Sequence, residues 1–152
     1  MKIYRLEYKQ FIKAPLSRVW DFFSAPANLG KITPAQMNFK IIRMDGDRMF
    51  AGQQIEYKVT VMPLVRVTWV TKITEVEENK MFVDEQLKGP YNLWRHRHTF
   101  VEVEGGVEMT DVIDYAIPFG ILGRLANWLY VERAVKGIFS YRSGVTEKIF
   151  ID

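Results

Sequence analysis

The chain has 152 residues, of which 48% are hydrophobic and 14% aromatic, and it contains no cysteine. This length suits one domain over residues 1–152, and the apolar content is sufficient for a folded core. The absence of cysteine excludes disulfides, catalytic thiolates and zinc–cysteine sites. The formal charge of +3 comes from scattered Lys and Arg, so we expect no nucleic-acid-binding patch.

The N-terminal stretch MKIYRLEYKQF alternates polar and apolar residues from its start. It lacks the apolar segment of a signal peptide, and no apolar run in the chain approaches the ~18 residues that a membrane-spanning helix needs. We therefore expect a cytoplasmic protein with no membrane span. The sequence leaves the oligomeric state open.

The first part of the chain predicts one strand followed by helical turns. Residues 3–13 alternate as a strand does. Pro15 then precedes apolar residues at helical spacing, which predicts a short helix at "APLSRVWDFF". The next stretch, "SAPANLGKITP", predicts a loop with one further helical turn.

The middle of the chain repeats a period of two. It predicts six further strands, separated by short turn-compatible breaks such as "MP", "EEN", "KGPY" and "EGG". Such short connections imply antiparallel neighbours. The predicted segments are residues 36–44, 55–61, 65–73, 81–87, 93–103 and 107–116.

After Pro118 the apolar period becomes helical and stays so from residue 119 to about residue 149. At ~1.5 Å per residue this helix would be ~45 Å long, which exceeds the length of a ten-residue strand. We therefore expect one long amphipathic helix across a curved antiparallel sheet. A sheet that curves around a helix leaves a gap between them, where ligands can bind.

Several motifs of the chain resemble one superfamily. They are "AP…VWDFF", "NLGKITP", "FVDEQLKGPYNLWRHRHTF", "MTDVIDYAIPFGILG" and "IFSYR". Together with the element order, they resemble the START-related or SRPBCC superfamily, which includes the birch-pollen allergen, and its bacterial polyketide cyclase/dehydrase-like subgroup. The resemblance implies the α+β helix-grip fold: a curved seven-stranded antiparallel sheet around a long C-terminal helix, with two short helices after the first strand. It names no ligand, because members of the superfamily bind, transport or transform different molecules.

Both histidines of the chain lie in the stretch LWRHRHTF, from Leu93 to Phe100. Strand alternation places Trp94, His96 and His98 on one face and two arginines on the other. The face with Trp94 should point inward, because arginine prefers water. A two-residue turn at "GG" pairs Glu104 with Val107 and predicts the facing pairs Phe100–Asp111, His98–Ile113 and His96–Tyr115.

This pairing makes Asp111 a diagonal neighbour of His98, within side-chain reach. The interpretations open at this point are a structural His–Asp hydrogen bond, ligand contact, and proton transfer by an oriented imidazole. Two histidines with Asp111 could also ligate a metal. Every ligand would then come from one hairpin, so we expect no metal and no cofactor.

We expect the cavity to be lined by ten residues, all of inward parity or on the inward helix face: Tyr57, Trp69, Trp94, His96, His98, Met109, Tyr115, Val135, Ile138 and Tyr141. The apolar residues around Asp84 and Gln86 favour an outward position for those two side chains, although the opposite parity would place them in the cavity. Arg142 can reach the cavity, pair with an acid or extend to solvent.

Three functions remain open on the sequence. The first is binding of a small hydrophobic or amphipathic molecule, with the histidine pair as a polar anchor. The second is an enzyme of the cyclase or dehydratase type, in which His98, Asp111 and His96 move a proton on a carbonyl compound. The third is an interaction module whose pocket is filled by its own side chains.

Overall fold

The computed structural model describes residues 1–151, and these form one antiparallel sheet with helices on one side of it. The sheet order is β1-β7-β6-β5-β4-β3-β2, so β1 pairs with the last strand and the other strands follow the chain. This confirms the predicted seven-stranded sheet. The strands are β1 (Tyr4–Ile12), β2 (Lys40–Met44), β3 (Gln54–Met62), β4 (Val65–Glu77), β5 (Met81–Lys88), β6 (Leu93–Val103) and β7 (Gly106–Ala116).

Helical segments connect β1 to β2. Helix α1 (Leu16–Phe23) buries Val19, Trp20 and Phe23, whose spacing of three and four residues places them on one face. Two 3₁₀ segments follow, Pro26–Ile32 and Ala35–Met37. The two predicted short helices are confirmed, and the second 3₁₀ segment is an additional element.

The C-terminal helix runs from Gly120 to Ile149, which confirms the predicted long helix. It consists of α2 (Gly120–Ala126), a π-helical turn (Asn127–Val131) and α3 (Glu132–Ile149), with helical backbone angles at both junctions. Phe119 precedes it with a φ of 75°, outside the right-handed helical region, so the helix begins at Gly120. No helix within residues 1–151 is both long and apolar enough to cross a bilayer.

The turn between β6 and β7 differs from the predicted one. Val103 pairs with Gly106, so the two turn residues are Glu104 and Gly105, and Gly105 has a φ of +83°. A side chain at Gly106 would meet the backbone oxygen of Ile12 at 2.2 Å, so this glycine permits the close approach of β1. The predicted pairing was therefore wrong by two residues, a shift that leaves each side chain on its predicted face.

The buried residues form two apolar clusters. One joins α1 to the turn end of β6 and β7 and to Phe150. The other joins β7 to α3 through Ile113, Tyr115, Val135 and Phe139. Members of both clusters border the space described next.

Candidate functional site

A cavity lies between the inner face of the sheet and helix α3. The cavity volume, counted as the space that the centre of a water molecule can reach, is about 180 Å³. One buried water needs roughly 10–15 Å³ on the same measure. The 3₁₀ segments cover one side of it with Pro26, Leu29 and Ile32. Helix α3 contributes Ala134, Val135, Ile138, Phe139 and Arg142.

An aromatic wall borders one side of this cavity, and we define it as Tyr57, Trp69, Tyr91 and Trp94. The Trp69 ring stacks on Tyr57, with centroids 5.9 Å apart, and meets Trp94 edge to face at 5.4 Å. Tyr91 contacts Trp94 at 4.9 Å. Because each ring is held by its neighbours, the wall presents a preformed apolar surface to the cavity.

The two histidines stack on each other in the middle of the sheet. Their ring centroids are 3.6 Å apart. Phe82 stacks on the outer face of His98 at 4.0 Å, and the Phe139 ring meets His96 edge to face at 5.3 Å. The four rings thus span the space from strand β5 to helix α3, with the polar imidazoles between two phenyl rings.

Two carboxylates contact the stacked imidazoles, and we call Asp84, His96, His98 and Asp111 the histidine–carboxylate cluster. Asp111 Oδ1 lies 2.8 Å from His96 Nε2 and 3.1 Å from His98 Nδ1. Asp84 Oδ2 lies 2.7 Å from His98 Nε2 but 3.9 Å from His96 Nδ1, which is too long for a hydrogen bond. All four residues border the cavity.

His98 has a carboxylate oxygen beside each ring nitrogen, and an ionised carboxylate only accepts hydrogen bonds. Both nitrogens therefore carry protons in the arrangement that satisfies them. Burial acts to lower the pKa of His98, but the interactions with Asp111 and Asp84 outweigh it and raise the pKa above its usual value. The two carboxylate contacts and the raised pKa both favour the protonated, positively charged form of His98.

His96 takes the opposite state. Burial and the adjacent charge of His98 lower its pKa, and its bond to Asp111 offsets only part of that effect. A neutral His96 that donates from Nε2 to Asp111 keeps an unprotonated Nδ1. The opposite pKa shifts therefore favour a cluster with a protonated His98 and a neutral His96 that can accept a proton.

The two carboxylates stay ionised in this setting. Burial acts to raise the pKa values of Asp84 and Asp111, yet their contacts with the histidines outweigh it and lower both. Their negative charges in turn stabilise the imidazolium of His98. This mutual dependence makes the cluster one electrostatic unit rather than two separate pairs.

Eight of the ten predicted lining residues border the cavity: Tyr57, Trp69, Trp94, His96, His98, Met109, Val135 and Ile138. The other two lie elsewhere. Tyr115 is fully buried, and its hydroxyl donates a 2.7 Å hydrogen bond to Asn127 Oδ1. Tyr141 is 42% exposed, because the face of α3 that borders the cavity runs through Ile138, Phe139 and Arg142 instead.

The contact between Asp111 and His98 agrees with the sequence prediction, whereas the other carboxylate contacts differ from it. Asp111 lies directly opposite His98 rather than diagonal to it, and its shorter contact is with His96. Asp84 points into the cavity, against the outward position that the apolar count favoured. The reason is its pairing with His96 across β5 and β6, which places it on the inner face. Gln86 instead bonds the backbone of Tyr91.

Sequence reasoning missed several residues of the cavity. Phe139 follows Val135 by four residues on the same helical face, a spacing that could have revealed it. The covering residues in Pro26–Ile32 carry no strong periodic signal, since a 3₁₀ segment lacks the 3.6-residue repeat. Only the folded chain brings them over the sheet.

Asp84, His96 and His98 each offer one ligand atom, and these atoms lie within 4.8 Å of one another. They could hold a metal only if His98 released the proton on the nitrogen that faces Asp84. The short contact between these two side chains favours a hydrogen bond. The expectation of a metal-free pair stays a prediction.

Comparisons with solved structures find the same fold at low sequence identity. A protein from Rhizobium leguminosarum is 14% identical with a TM-score of 0.71, over 97% of this chain and 96% of that one. The di-domain ARO/CYC BexL from the BE-7585A biosynthetic pathway is 16% identical with a TM-score of 0.75, over 99% of this chain and 50% of BexL. Ara h 8.0201 is 11% identical with a TM-score of 0.61, over 95% of this chain and 98% of that one.

A search of curated proteins gives no significant sequence match. Among protein-family models, one described as "Polyketide cyclase / dehydrase and lipid transport" matches residues 4–146, which is nearly the whole chain. The match agrees with the helix-grip architecture and with the expected SRPBCC membership. The chain belongs to the polyketide cyclase/dehydrase and lipid transport family.

Proposed function

We propose that the protein binds a small hydrophobic or amphipathic molecule in the cavity between the sheet and helix α3. The observation that carries this proposal is the combination of a preformed aromatic wall with one buried ionic cluster in the same cavity. Small-molecule sites have this composition: apolar walls with few polar groups that fix orientation. The description of the family, which names polyketide cyclases, dehydrases and lipid transport, supports a ligand of this class.

The roles of the lining residues follow from their chemistry. The aromatic wall would contact the apolar body of the ligand, since flat rings offer a large contact area at little conformational cost. The histidine–carboxylate cluster would orient a polar group of the ligand. The cavity volume argues against an interaction module whose pocket is filled by its own side chains. A cytoplasmic location stays a prediction from the sequence.

A neutral fluorophore tests the proposal without relying on charge. N-phenyl-1-naphthylamine should bind the wild-type protein with saturable fluorescence enhancement, because it is apolar and aromatic. Ile138→Trp places a bulky ring in the cavity and should abolish the enhancement. The matched control is Ile121→Trp, at a residue that is 80% exposed on α2 and should change nothing. Equal binding by both variants would place the fluorophore elsewhere and refute the proposal.

We infer a second candidate function, proton transfer on a bound carbonyl compound, from the state of His96. Its Nδ1 is the unprotonated nitrogen of the cluster, and Asp111 fixes the ring through Nε2. An imidazole so oriented can act as a general base. It would accept a proton from the carbon next to a carbonyl and return a solvent-derived proton to the same carbon.

Hydrogen–deuterium exchange tests this second function. The protein is incubated in deuterated water with an apolar aryl ketone, 4-phenyl-2-butanone, and exchange beside the carbonyl is followed by NMR. The wild-type protein should accelerate exchange, and His96→Gln should remove the acceleration while retaining fluorophore binding. If the ketone binds but its exchange is no faster than in buffer alone, proton transfer is refuted and binding remains the proposed function.

A further inference from the structure

Arg142 is a cationic side chain in the cavity outside the histidine–carboxylate cluster. It lies on α3 and borders the cavity, with its guanidinium carbon 5.1 Å from the centre of the Phe139 ring. Its Nε is buried and has no hydrogen-bond partner among residues 1–151. A buried N–H group without a partner is rare in folded proteins, and ligands are one way to satisfy such a group.

The carboxylates of the cavity do not satisfy this guanidinium. Asp84 and Asp111 direct their close contacts to the histidines, and within the described part of the chain Arg142 forms no ion pair. Burial lowers the pKa of Arg142, while the charges of Asp111 and Asp84 oppose that effect. Arginine keeps its proton in proteins, so the cavity contains a cation that no acid among residues 1–151 contacts.

A second donor in the same cavity lacks a partner. The indole Nε1 of Trp69, in the aromatic wall, is buried and unbonded among the residues described. Guanidinium and indole N–H groups can only donate, so both call for acceptor atoms. The histidine–carboxylate cluster already pairs its own donors with its own acceptors. The two unpartnered donors of the cavity therefore require acceptor oxygens, and the positive charge of Arg142 favours an anionic one.

We propose that Arg142 binds the carboxylate of an amphipathic ligand. The apolar body of this ligand lies against the aromatic wall, and another of its oxygen atoms can accept a hydrogen bond from Trp69 Nε1. This inference rests on the proposed binding function and names the ligand class. Guanidinium matches a carboxylate through two parallel N–H donors, which an ammonium cannot do. A monoanion fits better than a dianion, because Asp84 and Asp111 already place two negative charges in the cavity.

Competition against bound N-phenyl-1-naphthylamine tests this assignment. The competitors are dodecanoic acid, its methyl ester and dodecylamine, which share one apolar chain and differ in charge. The wild-type protein should bind the acid roughly ten- to a hundredfold more tightly than the ester, the range expected for hydrogen bonds to a charged group. Dodecylamine should compete no better than the ester.

The variants separate the role of Arg142 from general effects on the fold. Arg142→Gln should reduce the affinity for the acid to that for the ester, with both competitors measured against the fluorophore affinity of the variant itself. Arg142→Lys should retain a weaker preference for the acid. Arg133→Gln, at an exposed arginine on the same helix, should behave as the wild type.

Two results would overturn the inference. One is equal affinity of the wild-type protein for acid and ester, and the other is an equal loss of both affinities in Arg142→Gln. Tightest binding of dodecylamine would assign the ligand to the carboxylates instead, and would also overturn it. In each of these cases the fluorophore still binds, so the proposed function survives. A failure of the fluorophore itself would remove the proposed function and this inference together.

Discussion

Replacing Asp111 by Asn tests the electrostatic unit at the centre of the cavity. The substitution keeps the size of the side chain and removes its charge. Asp111 is buried, and one of its oxygens lies within 3.1 Å of both histidines. The amide oxygen of Asn can take the place of this oxygen, but it is uncharged. Both imidazoles therefore lose a charged acceptor, and His98 loses one of its two counter-charges.

The expected loss of stability follows from these two effects. A hydrogen bond to a charged group contributes ~1.5–3 kcal/mol, and breaking a buried ion pair costs ~3–5 kcal/mol. Release of the proton from His98 would relieve part of that cost, so we expect a decrease of about 3 kcal/mol in the free energy of unfolding. At about 2–4 °C per kcal/mol for a chain of this size, the Tm should fall by roughly 6–12 °C.

Urea unfolding followed by tryptophan fluorescence measures this change. Asp114→Asn is the matched control: Asp114 lies on the same strand and bonds the exposed Arg5 on the outer surface of the sheet. It should lose much less stability, because surface ion pairs contribute little. A loss below about 1 kcal/mol for Asp111→Asn, or equal losses for the two variants, would refute the view that Asp111 stabilises a buried imidazolium.

The remaining predictions concern His98, Asp84 and Tyr115. Folding raises the pKa of His98. Its contribution to stability should therefore be complete below the ordinary histidine pKa of ~6.5 and lost as the pH rises through the pKa of the folded state. His98→Gln should flatten the resulting decline in Tm at alkaline pH. Asp84→Asn should lower the pKa of His98, measured by NMR titration, and leave the bond between His96 and Asp111 intact; an unchanged titration would contradict the assignment. Tyr115→Phe should lower the free energy of unfolding by ~1–3 kcal/mol, because the hydrogen bond to Asn127 is lost. The fluorophore affinity should not change, and a weaker affinity would show that Tyr115 belongs to the binding site.

The sequence predicted the sheet, the long helix and the inward face of the histidine strand, because each depends on local periodicity. The alternation of Trp94, His96 and His98 against arginines determines a face whatever the register. The pairing across the hairpin depends on which residues form the turn, and "EGG" permits more than one choice. The prediction chose Gly105 and Gly106, whereas the close approach of β1 requires Gly106 within the strand.

The orientation of Asp84 could not be read from its own strand. Both Phe82 and Val83 are buried, although consecutive residues point to opposite faces. The apolar count on β5 was therefore ambiguous, and an irregularity in the β4–β5 pairing between Ile73 and Glu75 adds to the difficulty. Contact with the neighbouring strand decides the face, and that information is not local.

Four tryptophans give the most direct test of the central claim, that a small apolar molecule binds between the sheet and helix α3. Trp69 and Trp94 border the cavity, Trp20 is buried on the inner face of α1, and Trp128 is 71% exposed on the C-terminal helix. The measurement is a two-dimensional NMR titration of the four indole N–H signals with N-phenyl-1-naphthylamine. We predict that the signals of Trp69 and Trp94 shift and saturate together, while those of Trp20 and Trp128 stay in place. A shift of Trp128 alone, or of no signal at all, would contradict the account.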